Sequence, residues 1–197
     1  MSKIYNTSVL GAFLLALIFF TSCNSPVSKE KELDIYFSVA HLLDQQMEQW
    51  VQEKASLHKT LVLDGNKEEI VVTPQNTDEW QRELSLLMEA DLNKASFKDA
   101  YQVKEEKQGE ETIISYEAVA PDKVRVQHMT ITQNLSGILK DISISFSEKN
   151  SIYTSERKMR LEFNEAGNLV SYSIEGIQKM IFKDPIPYSL KAEIKHQ

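Results

Sequence analysis

The chain has 197 residues, with 29 acidic against 22 basic side chains, a formal net charge of −7 and one cysteine. The acid excess argues against nucleic acid as a partner and against broad adhesion to an anionic membrane surface. A lone cysteine excludes an intramolecular disulfide framework, and the length suits one domain around one core.

The first elements form a leader. Residues 1–8 are polar and carry Lys3 with the free amine; residues 9–20 (VLGAFLLALIFF) hold no polar side chain; Thr21 and Ser22 are small and precede Cys23. This is the charged, apolar and cleavage-site order of a secretory signal peptide. As a helix, residues 9–20 reach only about 18 Å, short of the about 30 Å of a bilayer core. No His, Lys or Arg lies within five residues of Cys23, so nothing nearby would activate a redox or catalytic thiol.

Small residues directly before a cysteine at the end of such a segment resemble the lipobox of bacterial lipoproteins. The resemblance covers residues 1–23 and implies cleavage before Cys23 and acylation of that residue. Phe20 stands where the family usually has Leu. The resulting division is a lipoprotein signal peptide at 1–22, a flexible tether at 23–32 (polar, with Pro26 and mixed charge) and a single α+β domain at 33–197.

Residues 33–57 read as a long amphipathic helix. Tyr36, Val39, Ala40, Leu43, Met47, Trp50 and Val51 recur at three- and four-residue steps, with Gln45, Glu48, Gln49 and Gln52 opposite. Lys54 falls in the stripe near its end. Leu61 and Leu63 then alternate up to a tight turn at Asp64-Gly65, and a return strand begins at Ile70 and stops before Pro74. Residues 74–94 read as a second helix. Asn76, Thr77 or Asp78 would cap it, with Asn76–Glu79 or Asp78–Gln81 as a capping box. Its stripe is Trp80, Leu84, Leu87 and Met88, and Asn93 marks its exit.

The remainder reads as a meander. Ile114, Tyr116 and Ala118 alternate; Val124 and Val126 differ in parity from Met129 and Ile131, which calls for a β-bulge near Gln127 or His128. Ile138, Ile142, Ile144 and Phe146 share a parity broken by Lys140. Tyr153, Met159, Leu161 and Phe163 share a face; the loop "NEAGN" offers Gly167 for positive φ; Val170, Tyr172 and Ile174 follow; Tyr188, Leu190, Ala192 and Ile194 form the last strand. The expected fold class is α+β, with two N-terminal amphipathic helices packed on a curved antiparallel sheet.

Chemistry is sparse. His41, His58, His128 and His196 have no ligand spacing, and there is no HExxH, GxSxG or GxGxxG. Glu68-Glu69, Glu105-Glu106 and Glu110-Glu111 point to opposite faces of strands and read as solvated edges. Trp50 and Trp80 read as core. Tyr116, Tyr153, Tyr172 and Tyr188 all fall on inner faces, as the edge of a core or the lining of a pocket. No catalytic, metal or cofactor residue emerges; Cys23 is the one site, for lipid attachment.

The expectation is a lipid-anchored cell-envelope protein acting by binding or assembly, similar to lipoproteins of Gram-negative envelopes. Its membrane contact would be through acyl chains on Cys23, at the outer membrane on a periplasmic or surface face. An envelope protein or a hydrophobic ligand would be its partner. One alternative is a carrier for a lipid or other hydrophobic ligand, since its helices and sheet loosely resemble periplasmic lipid-carrier folds. Another is an envelope hydrolase with carboxylates assembled by the fold.

Overall fold

Nine strands form one antiparallel sheet: β1 (Ser56–Leu63), β2 (Asn66–Val72), β3 (Tyr101–Gln108), β4 (Glu111–Ala118), β5 (Val126–Asn134), β6 (Leu139–Lys149), β7 (Tyr153–Phe163), β8 (Leu169–Met180) and β9 (Ile186–Lys195). Their spatial order is β2-β1-β9-β8-β7-β6-β5-β4-β3. Strands β3 to β9 are thus a simple meander, and the β1–β2 hairpin pairs with the last strand. The computed structural model describes residues 35–196, so the leader, Cys23 and the tether at 23–32 lie outside the described residues.

The sheet dominates, and helix is confined to short segments. Helix α1 (Val39–Gln52) is shorter than the 33–57 periodicity predicts. Ser38 stops it at the start, its hydroxyl accepting a hydrogen bond from the His41 N–H at 3.0 Å. At the other end Lys54, expected inside the stripe, takes a left-handed φ of 51° and breaks the helix. Residues 56 and 57, expected to be helical, open β1 instead. Tyr36 keeps its predicted burial without being helical.

The second helix breaks in two, α2 (Thr77–Glu83) and α3 (Ser85–Met88), because Leu84 leaves helical geometry. Its start uses the expected pair Asn76 and Glu79, but the return half of the box falls one residue early, on Gln75 rather than on the cap itself. The Asn76 Oδ1 accepts from the Glu79 N–H at 2.9 Å, and the Glu79 carboxylate accepts from the Gln75 N–H at 2.8 Å.

Register explains the core. Tyr172, Leu161, Ile142, Ile131 and Ile114 lie abreast on successive strands; Leu190, Ile174, Met159, Ile144, Met129 and Tyr116 form the next row. Cross-strand neighbours on one face pack in this way because the side-chain period is two. Helix α1 contributes Leu43, Met47 and Trp50 to the same cluster, α2 adds Trp80, and α3 adds Leu87. The Trp50 and Trp80 rings meet at 4.8 Å between centroids, and both are almost fully buried.

The bulge expected near Gln127 is present, between Val126 and His128. Two further bulges alter the assigned faces. Gln133 pairs with Leu139 and Thr132 with Asp141, so Lys140 is the extra residue and Leu139, not Ile138, packs on the core. Phe163 pairs with Leu169 and Glu162 with Ser171, so Val170 is the extra residue and Leu169 is buried in its place. Strand β3 is absent from the sequence reading. As an edge strand it is exposed along its whole length after Tyr101, so no apolar alternation marks it.

The Trp50 pair gives a direct test of the helix cover. Trp50→Ala is expected to cost about 3–5 kcal/mol in a denaturant titration, the range for emptying a buried aromatic site. A change below about 1 kcal/mol would place the indole outside the core.

Candidate functional site

The histidines stay apart. His41 meets Gln45, His58 meets Ser56, and His196 meets Glu53. Among the described residues no cluster of three metal-ligating side chains forms. The acidic pairs are drawn to lysines: Glu69 to Lys67, Glu106 to Lys104 and Glu111 to Lys140. In the first two pairs the neighbouring ammonium holds the exposed carboxyl below the usual range.

His128 is the exception in geometry. On the outer face, its Nδ1 lies 2.5 Å from Glu117 and its Nε2 lies 2.7 Å from the Thr130 hydroxyl. An acid, an imidazole and a hydroxyl in that order resemble a nucleophile relay. The setting does not support acyl transfer. The imidazole and the carboxylate are 41% and 66% exposed. The strands carrying them run between two ladder partners, so their backbone N–H groups are committed to the sheet rather than to an oxyanion.

A second polar group sits on the inner face. Arg157 is buried, donates to Glu89 at 2.9 Å and stacks its guanidinium 3.9 Å from the Phe146 centroid. Gly176 lies opposite it on β8, and Tyr188 beyond on β9. A Cβ at Gly176 would meet the Tyr188 ring and the Glu156 carbonyl at 2.7 Å, so only glycine lets that ring lie on the strand. Burial raises the Tyr188 phenol, and the Arg157 charge opposes the rise. This arrangement fixes a cation and an aromatic ring; it offers no nucleophile.

All four predicted tyrosines lie on inner-face rows, but spread across the sheet rather than around one pocket. Tyr172 is buried, and its hydroxyl has no hydrogen-bond partner among the described residues. Trp50 and Trp80 are core, as expected.

The surface that stands out lies at one end of the sheet. The β1–β2, β4–β5, β6–β7 and β8–β9 connections all gather there. Ile152 of the β6–β7 turn is 60% exposed, and Ile181 and Phe182 of the β8–β9 turn are 53% and 99% exposed. The Ile181 N–H donates to the Ile152 carbonyl at 3.0 Å, and the Lys183 N–H to the Met180 carbonyl at 3.2 Å, so two hairpin tips are tied together. Phe182 adopts a φ of 62°. That is the position of a turn which glycine normally fills, and a bulky residue there costs about 1–2 kcal/mol.

The sequence reading leaves residues 175–184 unassigned. A signal was present: Met180, Ile181 and Phe182 are consecutive apolar residues between Lys179 and Lys183, immediately before a proline-containing strand. Asn93, read as a helix exit, also does more. It is buried; its Oδ1 accepts from the Ile35 and Tyr36 N–H groups and its Nδ2 donates to the Tyr36 carbonyl at 2.6 Å. The Tyr36 ring then packs edge-on to Tyr101 at 5.5 Å and Tyr116 at 6.0 Å. The described chain therefore enters the domain at the same end as the β8–β9 turn.

No helix among the described residues is long and apolar enough to cross a membrane. Compared with protein-family models the chain matches none, and it matches no curated protein.

Tyr172 yields a test of the inner face. Burial holds the phenols of Tyr101, Tyr116, Tyr172 and Tyr188 above their ordinary value. Unfolded phenols release protons near pH 10 while the folded ones retain them, so the phenol contribution should be level between pH 7 and about pH 10 and stability should fall above it. Tyr172→Phe should be neutral or stabilising at pH 7, since it removes an unpartnered hydroxyl, and should soften the alkaline loss. Thermal midpoints between pH 7 and 11 measure both effects.

Proposed function

We propose that this chain is a lipid-anchored protein of the cell envelope that acts by binding or assembly rather than by catalysis. Acyl chains on Cys23 hold it to the membrane, on a periplasmic or surface face of the outer membrane. Its folded body is a curved antiparallel sheet with short helices laid across the inner side.

One observation carries the binding reading. The inner face, where a carrier would keep its ligand, is filled by Leu43, Met47, Trp50, Trp80, Leu84 and Leu87 against Met129, Ile142 and Leu161. The exposed apolar side chains of the β8–β9 end lie outside that core. Apolar side chains grouped at a surface mark a contact site. The leader pattern before Cys23 supports the anchor.

In a Gram-negative host, Cys23→Ser should release the protein from the membrane fraction or leave the precursor uncut. Intact Cys23→Ser protein that still carries an acyl mass would overturn the anchor.

A further inference from the structure

We infer that the β8–β9 hairpin is a wedge for a lipid bilayer surface: Phe182 and Ile181, with Ile152 beside them, enter the interfacial layer while Lys179 and Lys183 reach its phosphates. The inference rests on reading this end as the contact surface, and not on acylation of Cys23.

The fold gives Phe182 no packing role. Its side chain is 99% exposed, and its backbone sits in the left-handed region at φ 62°. Two unfavourable terms therefore meet at one residue, an uncovered aromatic ring and a conformation suited to glycine. Neither is relieved among the described residues. The turn is also held outward, because its backbone is bonded across to the β6–β7 tip and back to Met180. Met180 adds a side chain that is 41% exposed.

The flanking charge identifies the occupant. Acids outnumber bases across the chain, yet Lys179 to Lys183 holds two lysines and no acid; Asp184 follows. An apolar tip bracketed by lysines suits a membrane interface. There the long stems lie along the apolar layer, the ammonium groups reach phosphate, and aromatic rings settle at headgroup depth. A protein socket would instead favour a centre depleted of lysine. The net negative charge of the whole opposes a broad footprint and restricts contact to the tip.

Chain entry supports the same orientation. Ile35 is 51% exposed at this end of the sheet, held there by Asn93. The first described residue and the β8–β9 tip thus lie at one end of the sheet.

The test uses full-length Phe182→Trp and Leu135→Trp variants with vesicles of phosphatidylcholine and phosphatidylglycerol brominated in the acyl chains. Leu135 is a control: it is 61% exposed in the β5–β6 turn, at the opposite end of the sheet. Trp50 and Trp80 are buried and supply a constant background. The F182W indole should shift to the blue and be quenched by bromine, and L135W should not. Adding K179E and K183E to F182W should reduce the quenching. Phe182→Gly should leave the thermal midpoint unchanged or raise it.

Equal quenching in F182W and L135W, or none in either, overturns the bilayer as occupant. So does a blue shift without quenching, which would mean burial against protein. A lowered midpoint in F182G overturns the premise that the fold does not use the ring. If the wedge fails while Cys23→Ser still frees the protein from membranes, the anchored-module reading survives without it.

Discussion

Covering the inner face of the sheet is the constraint on which the other features depend. Nine strands in register present rows of Ile, Leu, Met and Tyr on one side, and water must be kept from them. Short helices do most of the covering, so each residue on them counts. Trp50 and Trp80 supply the bulk, meeting over the sheet at 4.8 Å. Gln46 supplies the position. Its amide accepts from the Leu169 N–H at 2.8 Å and donates to the Gly167 carbonyl at 3.3 Å, fastening the middle of α1 to the β7–β8 turn. A buried polar side chain is tolerated there because both of its ends find partners.

The same logic sorts the other polar groups. Asn93 is buried with its Oδ1 accepting two N–H groups and its Nδ2 donating to one carbonyl of the entering chain, while Arg157 is buried against Glu89 and Phe146 with its Nε left without a partner among the described residues. Lys59 reaches Glu83 at 2.6 Å from a half-buried row. The outer face needs no such accounting. It is paved with Ser143, Ser145, Ser173, Thr130 and charged residues that water can solvate. The apolar side chains at the β8–β9 end fit neither pattern, being apolar and exposed together.

Much of the sheet was legible from side-chain parity, because a half-covered antiparallel sheet writes its burial into alternate residues. The hairpin at Asp64-Gly65 was legible for a different reason: both residues take positive φ, 48° and 80°, as an Asp-Gly turn favours. The cap at Asn76 with Glu79 was local and so readable. What escaped depends on partners distant in sequence. A bulge at Lys140 or Val170 is set by the neighbouring strand, and it moved Leu139 and Leu169 into positions assigned to others. Gln46 and Arg157 look like surface residues until the β7–β8 turn and Glu89 arrive. Strand β3 carries almost no buried side chain of its own; its partner β4 makes it a strand. Met180, Ile181 and Phe182 were visible as an apolar run, but only their exposure distinguishes a tip from a strand.

The pairing of β1 with β9 joins residues 56–63 to residues 188–195. The first strand of the domain therefore has its inner neighbour only once residues 188–195 are in place. Until then the N-terminal hairpin has one edge bare, and β9 closes the sheet. Loop closure over such a distance is slow compared with the local hairpins. Strand β9 is thus the clasp of the sheet: it alone joins the N-terminal hairpin to the meander, and without it β1 has β2 as its one ladder partner.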